Sequence, residues 1–277
     1  MKTLYLSDLD GTLLKSDGTL SKKSADILNF LLDKGLLFTV ATARTSATVL
    51  DMFSGVNLNL PLILMNGVVL FDTLNDKNIL SHNINKEAAD EILSFFYKKN
   101  KSPMLYFQKD GYLEIHYNDL NNRYQMDYVG NRKELSKKRF VYKNKLSVTD
   151  EDNLIYIVTL DIPEEICDIR DSIVKSDKVT CAFYSDNYTD CNFLECMNKN
   201  ASKATAAVEL KKILGVDRIV AFGDNLNDIP MFNIADECYA VSNACDELKS
   251  KATGIIGTND NDSVAEFLLN RYYDGKI

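Results

Sequence analysis

Residues 5–14 read YLSDLDGTLL. Thr3–Ser7 has the make-up of a short strand buried on both faces, and it runs directly into Asp8 and Asp10. Strands of that kind belong to a parallel sheet covered by helices. In an open α/β sheet, ligands bind beyond the carboxyl ends of the strands, which is where the two aspartates stand. An i, i+2 pair on an extended chain points to one side, and two carboxylates so placed repel unless a cation joins them. Carboxylate oxygens with room for water and a phosphate oxygen suit Mg²⁺. Read alone, D-L-D-G-T fits equally a turn with solvated aspartates.

Outward from this stretch the pattern repeats. Ser21 reads as the N-cap of a helix whose stripe is Ile27, Leu28, Leu31 and Leu32, closed by Gly35. LLFTVA (36–41) is a second buried strand, Ser46–Phe53 opens a helix, and Leu62–Met65 is a third strand that Asn66-Gly67 turns into VVLFD. The same alternation returns near the end. A helix spans Ser202–Leu214, strands span Arg218–Phe222, Glu237–Val241 and Gly254–Gly257, and helices span Ala244–Ser250 and Asp262–Asn270. Alternating strands and helices predict an α/β layer structure.

Between residues 82 and 190 the strands become half polar and rich in tyrosine: MLYFQ, GYLEIHY, NLIYIVTLD and VTCAFYSD, with helices at Asn85–Asn100 and Pro163–Lys175. That pattern predicts an α+β layer with one open face. The expected organisation is a core of residues 1–81 and 191–277, with a second domain, 82–190, inserted into it.

The stretch RIVAFGDNLNDIPMF (218–232) supplies a second acidic strand end. Gly223 lets the backbone bend, Asp224 follows it, and Asn227 and Asp228 lie on the next turn. With Asp8 and Asp10 this places four carboxylates near one spot, which demands a divalent metal. Past the second strand come Thr42, Ala43 and Arg44. The Thr42 hydroxyl and the amides of the following helix suit a phosphate oxygen. For Arg44 two readings stay open, a charged contact or a cap on the sheet edge. Lys203 brings positive charge to the same mouth or is an exposed helix lysine.

DLDGTLL, ATAR, Lys203 and GDNLND resemble, in order, the four motifs of the haloacid dehalogenase superfamily. The long insert, Asn66-Gly67 and VSNACDELKSKAT (241–253) resemble its Cof-like branch. The resemblance implies a Rossmann-like parallel core with an inserted α/β cap and a Mg²⁺-dependent phosphatase of small phosphorylated metabolites, such as sugar phosphates, nucleotides or pyridoxal phosphate. Asp8 would be the nucleophile that forms an aspartyl-phosphate. Asp10 would be acid and then base, its carbonyl binding Mg²⁺. Thr42 and Lys203, with Ala43, Arg44 and Asn227 nearby, would hold the phosphate. Asp224 would complete the metal ligands, with Asp228 just outside them. Ala43 and Ala204 stand where the family usually has glycine, which implies slightly altered loops and intact chemistry. A phosphomutase of hexose phosphates is the alternative on the same fold. A binding module without turnover is a further one, although none of Asp8, Asp10, Lys203 and Asp224 is missing.

The bulk numbers narrow the classes. A net charge of −8 argues against a nucleic-acid partner. Six cysteines without C-x-x-C, and only two histidines, make a zinc site unexpected and suit reduced thiols. MKTLYLSDLDG does not read as a signal peptide, and no stretch approaches the ~20 apolar residues of a membrane span. A soluble, cytoplasmic protein is therefore expected, of unspecified oligomeric state. The basic stretch NRKELSKKRFVYKNK (131–145) reads as a solvated surface of the insert.

Overall fold

Leu4, Tyr5 and Leu6 are all buried in β1 (Thr3–Ser7), so the strand is covered on both faces, as a central parallel strand must be. The computed structural model describes residues 1–109, 112–132, 137–185 and 189–277. After β1 come an irregular turn at Leu9–Leu13, α1 (Lys22–Asp33), β2 (Leu37–Val40), α2 (Ser46–Met52), β3 (Leu62–Leu64), β4 (Val69–Asp72) and β5 (Lys77–Ser81). The middle of the chain forms α3 (Lys86–Lys98), β6 (Met104–Lys109), β7 (Tyr112–Tyr117), α4 (Arg123–Arg132), β8 (Lys138–Tyr142), β9 (Leu154–Asp161), α5 (Pro163–Ser176), β10 (Val179–Ser185) and β11 (Asn192–Asn198). The chain closes with α6 (Lys203–Leu214), β12 (Arg218–Gly223), α7 (Ile229–Ile234), β13 (Glu237–Val241), α8 (Asp246–Lys249), β14 (Gly254–Ile256) and α9 (Ser263–Tyr273). Two compact units result: Met1–Leu80 with Ser202–Ile277, and Ser81–Ala201.

The first unit is built on a parallel sheet of order β14-β13-β12-β1-β2. A bridge from Ala41 to Ile63 carries its edge to β3, which pairs antiparallel with β4. Helix ends follow local chemistry. Ser21 accepts the Ser24 amide at the start of α1, Ser202 accepts the Thr205 amide at the start of α6, and Gly215, at φ 59°, ends α6. Ser7 lies opposite both Val40 and Phe222. Asp8, Thr42 and Asp224 therefore leave the sheet at one edge.

The second unit holds a six-stranded sheet, β10-β11-β9-β6-β7-β8. One face packs on α3 and α5 through Ile92, Phe96, Ile169, Leu105, Phe107 and Leu194. The expected boundary at residue 190 moves here: β11 pairs with β9 and β10, so residues 192–198 belong to the inserted sheet. Alternation along NFLECMN is blurred by Cys196 and Met197 side by side, and only cross-strand pairing reveals the strand. Two further elements have no counterpart in the sequence reading. Helix α4 carries mostly polar residues and buries only Gln125 and Val129, and its Tyr128 hydroxyl lies 2.7 Å from that of Tyr106. Strand β8 arises inside the basic stretch and pairs in parallel with β7; residues 133–136 of that stretch lie outside the described residues. Among the described residues no helix is long and apolar enough to cross a membrane.

Gly67 shows how tightly the core is threaded. Its φ is +90°, and a Cβ there would run into the carbonyl of Ser202, the residue that caps α6. Gly67→Ala is expected to cost about 2 kcal/mol or more of stability, read as a lower urea midpoint. An unchanged midpoint would contradict the packing of this turn on α6.

Candidate active site

Asp8 is the first residue past β1, and its amide donates to the Phe222 carbonyl at 3.0 Å, so the register of β1 on β12 places it. Its side chain is 8% exposed and receives the Lys203 ammonium at 2.6 Å. The same ammonium donates to Asp228 at 2.7 Å, and Lys203 and Asp228 are 1% and 0% exposed. Lys203 is thus a buried cation clasped by two carboxylates, and the exposed-lysine alternative falls away. Its position depends on the Ser202 cap and on the Gly67 turn pressed against the start of α6.

The turn after β12 explains Asp228. Its second carboxylate oxygen accepts the Asp224 and Asn225 amides at 3.0 and 3.2 Å, so both oxygens are occupied. A Cβ on Gly223 would lie 2.7 Å from the Asp228 carboxylate, which is why the strand ends in glycine. Asp224 leans the other way, towards the loop after β1. Thr12 donates to it at 3.2 Å, and a Cβ on Gly11 would lie 2.5 Å from its oxygen. Asp8, Asp224 and Asp228 each bring one carboxylate oxygen within 4.8 Å of those of the other two.

Three carboxylates and one ammonium leave two negative charges uncompensated in a buried space. Burial pushes Asp8 well above the ordinary carboxyl range, with Lys203 pulling it down and Asp228 and Asp224 pushing it up. Burial, then the Asp228 charge, pushes Asp224 up to about 6. Lys203 is raised above its usual value because the attraction of Asp228 and Asp8 exceeds the cost of its burial. An excess of carboxylate oxygen at this edge fits a hard divalent cation, which takes oxygen ligands and supplies the missing charge.

Asp10 does not join this group. Its side chain is 53% exposed, and its two oxygens accept from Arg44 Nη2 at 2.6 Å and Nε at 2.8 Å. The expected gathering of four carboxylates is therefore corrected to three. The reason is local: β1 ends at Ser7 and a tight turn begins at Leu9, directly after Asp8, so the two-residue alternation stops before Asp10. Arg44 makes the charged contact, and its partner is the loop after β1.

The remaining expected residues spread around this edge. Thr42 is buried; its amide donates to Ile63 at 2.9 Å and its hydroxyl accepts the Arg44 amide at 3.1 Å. Ala43 is exposed beside it. Asn227 is exposed, with its side-chain nitrogen 3.5 Å from the Asn66 oxygen. The sequence reading passed over Thr12, Asn243 and Asn259, which brace the Asp8 loop. Asn243 donates to the Gly11 carbonyl at 2.8 Å and Asn259 to the Leu14 carbonyl at 2.9 Å. The D-G-T run contains Thr12 and VSNACDELKSKAT contains Asn243, but neither stretch shows which carbonyl an asparagine more than 200 residues away will hold, and nothing local marks Asn259.

With this geometry in place, a family profile for haloacid dehalogenase-like hydrolases matches residues 5–268. The chain belongs to that family. Within it, 26% of 279 aligned residues are identical to a 5-amino-6-(5-phospho-D-ribitylamino)uracil phosphatase of Bacillus subtilis, across 94% of this chain and 95% of that one. A Haemophilus influenzae protein named a putative phosphatase is 26% identical, covering 98% of this chain and 99% of its own. Among solved structures, a Thermotoga maritima protein superposes with a TM-score of 0.78 at 23% identity, covering 98% of this chain and 97% of that one. The haloacid dehalogenase-like fold, a parallel core with an inserted cap, is thus the fold of this chain.

Lys203→Met removes the counter-charge of two buried carboxylates. It should cost about 3 kcal/mol near pH 7.5. The loss should be smaller near pH 5, where the Asp8 carboxyl, raised by burial and stripped of its ammonium, can take up a proton. Urea denaturation at both pH values reads this, and an equal loss at each would mean that Lys203 contributes packing alone.

Proposed function

We propose that the protein is a Mg²⁺-dependent phosphatase that hydrolyses phosphate monoesters of small metabolites through an aspartyl-phosphate on Asp8. The observation that carries this reading is the buried trio of Asp8, Lys203 and Asp228 beside Asp224, two positive charges short of neutrality. The Bacillus subtilis relative is named for a phosphate ester of a ribityl pyrimidine, which supports a small phosphorylated substrate. Sugar phosphates, nucleotides and pyridoxal phosphate complete the class to be screened. Six free thiols suit action in the reducing cytoplasm.

In this reading Asp8 attacks phosphorus as the ester oxygen leaves, forming one O–P bond and breaking another. A carboxylate approaching a phosphate dianion meets repulsion, and the Lys203 ammonium at Asp8 offsets it. Asp10 gives a proton to the leaving oxygen and later takes one from the water that cleaves the aspartyl-phosphate. Thr42 and Lys203 hold the phosphoryl oxygens. Asp8, Asp224 and the Asp10 carbonyl would hold Mg²⁺, with Asp228 keeping Lys203 and the Asp224 turn in place. When bound, the metal supplies charge for the equatorial oxygens of the transferring group.

Asp8→Asn removes the nucleophile with little change in volume. It should lower turnover of an aryl phosphate about a thousandfold or more, with the circular dichroism spectrum unchanged. Substantial residual turnover would sink the covalent route.

Metal binding should also be linked to pH. The Asp224 carboxyl is raised from 3.8 to about 6 and Asp8 is raised too, so the metal-free fold holds these protons more tightly than the unfolded chain. Their contribution to stability is full below about pH 4 and is lost as pH rises through about 6. Mg²⁺ needs the ionised carboxylates and restores that loss. The rise in melting temperature on adding Mg²⁺ should therefore be larger near pH 7.5 than near pH 5. A rise independent of pH would place the metal away from Asp8 and Asp224.

A further inference from the structure

Arg44 holds Asp10 in a fork, Nε on one carboxylate oxygen and Nη2 on the other. This two-point geometry fixes direction as well as distance, since the planar guanidinium and planar carboxylate must lie edge to edge. The backbones on both sides of the pair are held by hydrogen bonds of their own. On one side, the Arg44 backbone is pinned: its amide donates to Thr42 Oγ1 at 3.1 Å and its carbonyl accepts the Met65 amide at 3.1 Å. On the other, the Asp10 loop is pinned by Asn243 on the Gly11 carbonyl and Asn259 on the Leu14 carbonyl. Two hydrogen-bonded backbone segments thus present a half-exposed carboxylate and a guanidinium at bonding distance. At this exposure an ion pair adds little to stability; what it determines is where the carboxylate points. The phosphate-facing charge, by contrast, is already present in Lys203, buried on Asp8.

We propose that Arg44 is the positioning residue for the Asp10 carboxylate, aiming it in both proton transfers and taking no part in holding the phosphate. The inference rests on the reading of Asp10 as acid and base. In the first transfer the proton goes from Asp10 to the ester oxygen as the O–P bond breaks. In the second it goes from water to Asp10 as the Asp8–phosphate bond breaks. Both require the carboxylate to face the same oxygen position, and a side chain freed of its fork samples other rotamers.

The test measures Arg44→Met, Arg44→Lys and Asp10→Asn on an aryl phosphate, with inorganic phosphate as a competitive inhibitor. The expected result for Arg44→Met is a fall in kcat of about tenfold or more. The phosphate inhibition constant should stay within about twofold of the parent, and the melting temperature should be unchanged. Arg44→Lys, which restores the charge without the fork, should recover part of the lost kcat. A rise of about tenfold in the phosphate inhibition constant would overturn the proposal by making Arg44 a phosphate ligand, and an unchanged kcat would reduce the pair to a surface contact. If Arg44→Met does not fold, Arg44→Lys decides: a several-fold lower kcat at constant phosphate affinity supports the proposal, and parental turnover overturns it. Asp10→Asn keeps the two readings apart. Full turnover in that variant removes the acid–base reading itself, whereas an inactive Asp10→Asn beside a fully active Arg44→Met removes only the role given to Arg44.

Discussion

The ammonium of Lys203, buried between Asp8 and Asp228, is the contact on which the rest of this molecule depends. A cation so enclosed has lost its hydration, and only carboxylates in direct contact restore the energy. Each partner is therefore fixed by a separate part of the fold. Asp8 is set by the register of β1 on β12, Asp228 by two amides of the turn after β12, and Lys203 by the Ser202 cap and the Gly67 turn. Loss of Lys203 strands two buried carboxylates, whereas loss of either carboxylate leaves the ammonium with the other.

The same contact sets the chemistry of the site. It places a positive charge on the carboxylate proposed as nucleophile, and it leaves the group formed with Asp224 two negative charges in excess. Burial raises both Asp8 and Asp224 even with the Lys203 ammonium beside them. The folded protein is thus arranged around an excess of negative charge that a divalent ion would balance. Asp10 lies outside this balance, with Arg44 as its own counter-charge. Two aspartates one residue apart in sequence so have separate electrostatic surroundings, which suits two different tasks.

Much of this was legible in the chain. The core strands at residues 3–7, 36–41 and 218–222 were readable because strands buried on both faces are mostly apolar. The inserted layer was harder. Strand β11 and helix α4 carry polar residues that make sense only beside their neighbours, as with Tyr128 against Tyr106. Strand β8 is basic and at a sheet edge, and edge strands tolerate residues that do not look like strand.

By itself, the sequence determined that acidic residues follow two buried strands, with a threonine past a third and one lysine at a helix start. Those placements are local, a matter of periodicity and of which residue types end a strand or begin a helix. Only the tertiary structure decided how the charges pair. That Lys203 turns inward to Asp8 and Asp228, and that Arg44 claims Asp10, depends on distances between segments far apart in the chain. Coulombic pairing in a buried space is sensitive to single ångströms and to the loss of water, and no local pattern of residues encodes either.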